Sequence, residues 1–471
     1  MGSPSFTLAG SLTIPSDLER AFTALKAKQL PYARLWDYYE GRHPLVYATK
    51  KLQRVFSDLN ARWCENWAAV VVDSLTDRIQ LQGLRYVGLD IVEGQTHPIQ
   101  QALDDWWDAQ DVSGDSEEAT QAVAVCGEGF CIVERTEDEA PRTVANPPHL
   151  CAVIYREDDP QVPAFAAKWW DDEGRARLTL YYEDGRKHYI ADAPRAKVRK
   201  AEAFAPDPER PEEPSEDGIP LFHFRKDRRS RSRVAKVVSL NDALNKLFAD
   251  MMVAAEFAAF KQRYIISKGE VTGAAKAMRA GASEVVAIPG NEEGEGQDTQ
   301  VGEWEAADLA GFLSALDHIA SRIAILTHTP KHYLLEQGDV SGEALIAMEA
   351  PLVKEAEAYR RRLSVTWRKL GVHVLKLLGH DVRPNQIEPV WAESATVQPY
   401  TDALIMGELS KAGLPLPTVL RMRGYSDAEV QKLLDEMAED DARRAGATTE
   451  AMLEAQRRLE RGENPEPYPN G

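Results

Sequence analysis

The feature that most constrains the fold is a change in hydrophobic periodicity that occurs twice along the chain. Apolar residues recur every three or four positions up to Cys126, which predicts helices. Between residues 129 and 225 the pattern becomes short runs of β-branched and aromatic residues with tight-turn signals such as Asp184-Gly185. From Val237 onward the helical period returns. Helical blocks on either side of an antiparallel β module predict an α+β fold.

Helix boundaries can be read at the N-terminal end of this pattern. Ser16 and Glu19 have the spacing of a capping box and predict a helix that runs to about Leu30. Pro31 suits the first turn of a helix, so a second helix is predicted from there to about Gly41.

Three long helices are predicted in the second half of the chain. The segment 237–260 is apolar over most of its circumference, with a stripe of Leu240, Leu244, Leu247 and Met251. Periodicity alone favours a core helix there over a helix packed among neighbouring subunits. A second helix should run from about residue 308 to 328 and end before Pro330. A third should span about 343–378, with Pro351 kinking it near its start.

Composition and charge exclude several classes of protein. The 471 residues are 44% hydrophobic, which rules out disorder of the whole chain. No apolar run approaches the roughly 18 residues of a membrane span, so no membrane partner is expected. The N-terminus lacks the pattern of a signal peptide, and four cysteines indicate a reducing compartment. The net charge of −19 argues against a protein that grips nucleic acid by neutralising its phosphates.

Catalytic and metal-binding motifs are absent from the sequence. It contains neither a Walker-type phosphate loop nor a Gly-x-Ser-x-Gly elbow. His328 and His332 have the spacing of a helical metal pair, but Pro330 between them would break that helix. The four cysteines are expected to be buried small residues. No enzyme activity, metal or cofactor is therefore predicted.

Two charged segments stand out. Residues 225–233, RKDRRSRSR, hold six bases and one acid. They could form a solvated loop, pair with acidic neighbours or contact nucleic acid, and composition favours one of the first two. Residues 291–308 hold seven acids and no base, which is typical of a solvated loop.

Short strands and a helix are predicted between residues 264 and 290.

The order of four stretches resembles the portal proteins of long-tailed bacteriophages of Gram-positive bacteria. They are WDYYEGRHPL with NWAAVVVDSLTDRIQLQGLR, GIPLFHFR with VVSLNDALNKLFADMMVAAEFAAFKQRYI, ADLAGFLSALDHIASRIAILTHTPKHYL, and DVSGEALIAMEAPLVKEAEAYRRRLSVTWRKL. Together they cover residues from about 35 to 378. No single stretch is as specific as a catalytic signature. The combination of the four stretches and their order along the chain are specific to the family.

The resemblance implies a portal fold, an α+β architecture with successive parts. These are an N-terminal wing of helices and an antiparallel β module (1–235), a first stem helix (236–263), a small α/β clip (264–307), a second stem helix (308–330), a tunnel-loop region (331–342), a long kinked wing helix with its return (343–394), and a helical crown with a disordered tail (395–471). The resemblance makes the helix over 237–260 a stem helix. It therefore favours a helix packed among neighbouring subunits over a helix buried in the core of one chain.

The resemblance also implies partners and a location. The chain would form a homo-oligomeric ring, of about twelve subunits, at the portal vertex of the virion capsid, after assembly in the host cytoplasm. Double-stranded DNA would pass through the ring during packaging and ejection. Other expected partners are the terminase large subunit, the major capsid and scaffolding proteins, and the head-completion or adaptor proteins.

Candidate site residues follow from the same resemblance. The tunnel loop is expected to hold Glu336, Gln337, Gly338, Asp339, Val340 and Ser341. The docking residues of the clip are expected to be Glu292, Glu293, Glu295, Asp298 and Glu303. Candidate DNA- or subunit-contacting bases are Arg225, Lys226, Arg228, Arg229, Arg231, Arg233 and Lys331.

Two alternatives stay open at this point. One is a soluble α+β enzyme of unknown reaction, which predicts a small oligomer and a pocket with convergent polar groups. The other is a different phage head–tail structural protein, although head–tail connectors are usually much shorter than 471 residues.

The net charge of −19 agrees with a DNA conduit whose wall repels DNA rather than holding it.

Overall fold

Two compact units make up the chain, residues 1–394 and residues 395–471. The computed structural model describes residues 16–43, 64–88, 96–136, 140–259, 263–268, 285–290, 300–303, 308–335, 341–394, 399–422 and 430–438, together with the single positions 138, 443 and 457. Helices and sheets alternate in the order that the periodicity predicts, which confirms the α+β fold class. Among the described residues, no helix combines the length and apolar character needed to cross a bilayer.

The N-terminal block is mainly helical. It comprises α1 (Asp17–Tyr39), α2 (Trp67–Thr76), β1 (Leu81–Tyr86), α3 (Pro98–Ala109) and α4 (Val112–Cys126). The Ser16 side chain accepts a hydrogen bond from the amide of Glu19, so the predicted cap is confirmed. The predicted second helix at Pro31 is wrong, because α1 continues through it. Pro31 and Ala27 are both exposed, so water can satisfy the carbonyl that the proline leaves without a donor.

The β module contains nine strands: β2 (Glu128–Arg135), β3 (Pro141–Asn146), β4 (Cys151–Tyr155), β5 (Pro163–Asp172), β6 (Arg175–Tyr181), β7 (Gly185–Ala191), β8 (Ala205–Pro206), β9 (Glu213–Pro214) and β10 (Leu221–Arg225). One sheet has the order β10-β2-β3. The other has the order β4-β5-β6-β7-β8, and β9 pairs with β7. All of these pairings are antiparallel, which confirms the prediction from period-two patterning.

A helix, a small sheet and a second helix follow. They are α5 (Val238–Ala259), then β11 (Arg263–Lys268), β12 (Val285–Gly290) and β13 (Gln300–Glu303), and then α6 (Ala310–Thr327). In the sheet, β11 pairs with β12 in parallel and with β13 antiparallel. The strand β13 lies inside the acidic segment that was predicted to be a loop, because pairing with β11 outweighs its low apolar content. The helix predicted between β11 and β12 lies outside the described residues.

One long helix, α7 (Gly342–Leu377), organises the rest of the first unit. It continues through Pro351, which is exposed, as is Ala347 one turn before it. Its inner face recurs every three or four residues and packs into the largest core through Leu352, Ala356, Tyr359, Leu363, Trp367, Leu370 and Val374. The chain returns through β14 (Ile387–Trp391), which pairs with β1. The second unit contains α8 (Pro399–Lys411) and α9 (Leu416–Met422).

Candidate functional site

Five segments that are distant in sequence meet at one place, which we call the junction. They are the end of α2, the basic segment 225–233 (called the basic turn below), the end of α6, the short helical turn Lys331–Tyr333, and the N-terminal half of α7. Two carboxylates of α7 stand at its centre. Glu349 and Glu355 are each only 8% exposed, so both need cationic or hydrogen-bonding partners.

Glu355 binds the basic turn to α7. Arg233 donates to it at 2.6 Å and Lys226 at 2.8 Å, while His328 Nδ1 lies 3.4 Å away. Burial alone would raise the pKa of Glu355, but the charge of Arg233 and the hydrogen bonds from Lys226 and Arg233 lower this pKa to about 2. The carboxylate is therefore charged at neutral pH, although it lies in the interior.

Arg233 is the central cation of the junction, and its side chain is 0% exposed. Its Nε donates to the carbonyl of Val71 at 2.8 Å, and its Nη2 donates to the carbonyl of Thr327 at 2.5 Å and to the hydroxyl of Thr329 at 3.3 Å. One guanidinium therefore joins α2, the end of α6 and α7. In the single chain, these intrachain contacts and the burial of Arg233 keep its guanidinium away from the surface, unlike the other predicted contact residues Arg228 and Arg229.

Glu349 forms the second half of the junction. Arg78 Nη2 donates to it at 3.0 Å and the Tyr333 hydroxyl donates at 2.9 Å, while His332 Nε2 lies 3.7 Å away. Arg78 also donates to the Tyr333 hydroxyl at 2.8 Å. These contacts fix the turn that precedes residues 336–340 and the helix that follows them. The junction thus holds both ends of the predicted tunnel loop.

The predicted tunnel-loop residues Glu336, Gln337, Gly338, Asp339 and Val340 lie outside the described residues. Ser341 is described, and its side chain accepts a hydrogen bond from the amide of Ala344 at 3.4 Å, which caps α7. The clip residues Glu292, Glu293, Glu295 and Asp298 also lie outside the described residues. Glu303 ends β13, where its backbone is paired with Arg263.

The rest of the basic turn is divided between intrachain contacts and solvent. Arg225 lies over the Tyr155 ring at 4.4 Å, and Arg231 donates to Asp227 at 2.8 Å. Arg228 and Arg229 are exposed at the tip. Lys331, which is outside the turn, pairs with Asp317 of α6 at 2.7 Å.

A second buried carboxylate beside the turn could not be predicted from the sequence. Glu128 is 4% exposed and lies 2.5 Å from Lys28 Nζ, 2.7 Å from the Tyr32 hydroxyl and 2.9 Å from His223 Nε2. Burial raises its pKa, but His223 and Lys28 outweigh burial and lower the pKa to about 2. The Ser230 hydroxyl lies 3.4 Å from Glu128. Glu128 and Glu355 therefore anchor the two sides of the basic turn.

The two helices α5 and α6 pack against each other but leave apolar side chains exposed. Of the predicted packing residues, Leu244 is 1% exposed, whereas Leu240, Leu247 and Met251 are only partly buried. Further exposed apolar side chains are Met252, Leu313, Ile325 and Leu326. A single copy of the chain thus leaves much of the apolar circumference of these helices uncovered.

The cysteines and histidines form no evident reactive centre in the described part of the chain. Cys126, Cys131 and Cys151 are buried as predicted, but Cys64 is only partly buried, with its Sγ 3.5 Å from His43 Nε2. Within the ranges that the structure describes, no three His, Cys, Asp or Glu side chains are grouped so as to hold a metal ion.

The junction predicts a dependence of stability on pH. A carboxylate whose pKa is about 2 in the folded chain and near 4.5 when unfolded stabilises the fold above pH 4.5. This stabilisation is lost as the pH falls from about 4.5 towards 2. We expect Glu355→Gln to show a shallower loss of unfolding free energy over this range than the unchanged chain. The exposed Glu357→Gln on the same helix is the control, and equal slopes for both variants would contradict the assignment.

Comparison with known proteins identifies the family. A family model described as "Phage portal protein, SPP1 Gp6-like" matches residues 24–445, which is most of the chain. The chain belongs to this family. The resemblance stated from the sequence is thereby confirmed.

Two curated relatives are named portal proteins. The portal protein of Mycobacterium phage D29 is 26% identical over 392 residues, which covers 77% of this chain and 76% of the relative. The portal protein of Mycobacterium phage L5 is 30% identical over 168 residues, or 34% of each chain.

Membership of the portal family establishes the function at a general level. The chain is a phage portal component, a structural protein of the virion capsid rather than an enzyme, and it assembles with copies of itself. The enzyme alternative is therefore wrong.

Proposed function

We propose that the chain forms a closed ring of about twelve subunits at one capsid vertex and that double-stranded DNA passes through this ring during packaging and ejection. The observation that carries the proposal is the apolar surface of α5 and α6. On α6, Leu313 is 59%, Ile325 is 70% and Leu326 is 51% exposed. Ile325 and Leu326 adjoin each other, and adjoining exposed apolar side chains suit a surface that another protein covers. Identical helices of neighbouring copies are suitable occupants in a cyclic assembly.

The parts of the ring follow the chain order. The wing is assigned to residues 1–235, the stem to 236–263 and 308–330, the clip to 264–307, the tunnel-loop region to 331–342, the long wing helix and its return to 343–394, and the crown to 395–471. The small sheet of β11, β12 and β13 lies between the two stem helices in sequence, as a clip requires. The acidic residues of the clip, with six acids between 291 and 307, would dock the terminase large subunit and later the head-completion proteins. The wing would face the capsid and scaffolding proteins.

The junction gives the tunnel loop a rigid base. Glu349 and Glu355 fix the segments before and after residues 336–340 through buried, charge-assisted hydrogen bonds. Any displacement of the loop by moving DNA would then be confined to a few residues. The stem and wing would keep their arrangement while DNA passes.

The ring is tested by sedimentation velocity of the purified protein. One chain has a mass of 52.5 kDa, and the proposal expects a principal species near twelve times this mass. A protein that sediments only as a monomer or dimer over the micromolar range would contradict the proposal.

The charge of the tunnel loop leads to a further prediction. Residues 335–343 contain three acids and no base, so the loop should guide DNA by sterics and backbone rather than by pairing with phosphates. We expect Asp339→Lys to slow packaging because an added cation would hold the DNA. Packaging is measured as DNA protected from nuclease in filled heads, with Asp339→Asn as the control. Unchanged packaging and retention of DNA in D339K heads would exclude this role of the loop charge.

A further inference from the structure

A groove runs along α4. It consists of two adjoining cavities of about 580 and 360 Å³, which share Glu118 and Gln121 in their walls. The larger cavity is lined by apolar side chains such as Trp36 and Pro148 and by charged ones, among them Arg195 and Arg42, which pairs with Asp37 and Glu40. Acidic side chains line the smaller one, namely Asp73, Asp77, Glu117 and Glu118. We call the two cavities together the acidic groove.

The carboxylates of the smaller cavity lack cations. In the part of the chain that the structure describes, Asp77, Glu117 and Glu118 form no ion pair. Asp73 accepts a hydrogen bond from the neutral Tyr39 hydroxyl at 2.8 Å. Burial and the charge of Asp77 raise the pKa of Asp73, as expected where like charges crowd together. Within the described residues, the uncompensated negative charge of the acidic groove therefore lies in its smaller cavity.

The other end of α4 carries a complementary feature. The basic turn packs there, because the amide of Arg233 donates to the carbonyl of Ala124 at 2.9 Å and the Ser232 hydroxyl donates to that of Val125 at 2.5 Å. Its tip presents Arg228 and Arg229 to solvent, and neither forms an ion pair among the described residues.

The tip is held rigidly, which lowers the entropic cost of binding. Asp227 accepts hydrogen bonds from the amide of Arg229 and from Arg231 Nε, both at 2.8 Å. Ser230 has a φ of 46°, a left-handed conformation that its surroundings impose. The two exposed arginines are thus carried by a turn whose backbone is held by hydrogen bonds.

We propose that the acidic groove of one copy receives Arg228 and Arg229 of a second copy. A ring needs a heterologous interface, in which two different surfaces of the same chain meet. The groove and the basic turn meet this requirement by their opposite charges, and they contact different parts of α4, residues 114–122 and residues 124–125. This inference rests on the proposed ring and assigns one of its subunit contacts.

Charge reversal tests this contact. The variant R228E/R229E and the variant E117R/E118R should each raise the protein concentration at half-assembly by about tenfold or more, since like charges would then face each other. The combined fourfold variant should regain assembly close to that of the unchanged chain. The matched control, E157R/D158R, reverses two exposed acids in the turn after β4 and should assemble normally. Sedimentation velocity over a concentration series provides the measurement.

Three outcomes would overturn the contact. Normal assembly of both double variants would refute the proposed contact but not the proposed ring. Failure of the fourfold variant to regain assembly, with both doubles impaired, would mean that the two surfaces do not meet each other. Normal assembly of R228E/R229E with weaker binding of a 30-base-pair DNA duplex would assign the arginines to DNA instead. Absence of a ring in the unchanged chain is a separate result, which would refute the proposed function.

Discussion

Replacing Arg233 with Met is expected to lower the free energy of unfolding by about 3 kcal/mol. The change removes the closest cation of Glu355, which stays buried with a carboxylate that only Lys226 and more distant groups can compensate. It also leaves the carbonyls of Val71 and Thr327 without this donor. Urea unfolding at one fixed protein concentration is the measurement, because assembly makes apparent stability depend on concentration.

Two further variants make the interpretation specific. Arg229→Met removes an exposed arginine of the same turn and should change stability by no more than about 0.5 kcal/mol. The double variant Arg233→Met/Glu355→Leu should lose less stability than the two single variants added together, because it leaves no uncompensated carboxylate. If R233M proved as stable as R229M, Arg233 could not be the central cation of the junction.

The largest effect on assembly is expected from Ile325→Asp combined with Leu326→Asp. Both side chains are more than half exposed in the single chain, at 70% and 51%, so the monomer should keep its fold. In the proposed ring they lie between neighbouring stem helices, where two carboxylates would be buried without partners. We expect the assembled species to disappear in sedimentation velocity while the far-ultraviolet circular dichroism stays that of the unchanged chain.

The control for this variant is Leu30→Asp, which replaces another exposed apolar side chain, 83% exposed, on α1. It should assemble normally, because α1 lies outside the stem. An assembled I325D/L326D variant would place the subunit interface elsewhere. Loss of assembly in L30D as well would show that the stem is not the specific site of the effect.

Local patterns in the sequence predicted much of the fold. Period-three-to-four and period-two apolar spacing located α5, α6, α7 and the strands between residues 129 and 225, since burial of one face imposes that spacing. Pro31 misled the prediction because an exposed proline can stay inside a helix when water satisfies the freed carbonyl. The strand β13 was missed because its pairing with β11 is a tertiary effect that its acidic composition does not show.

The junction and the acidic groove could not be predicted from sequence. Arg233 and Glu355 are 122 positions apart, and Glu128 and His223 are 95 apart, so only the folded chain brings these charges together. Composition grouped Arg233 with five other bases of one segment. The structure instead places Arg233 in the interior and leaves Arg228 and Arg229 on the surface. A charge run in a sequence therefore does not identify which of its members can meet a partner.

Negative-stain electron microscopy of the purified protein shows whether this chain forms a ring around a channel, as we propose. We expect end-on particles with about twelvefold rotational symmetry and a stain-filled central hole wide enough for a DNA duplex. Compact particles of one or two subunits without a central hole, in the same buffer and at micromolar concentration, would contradict it.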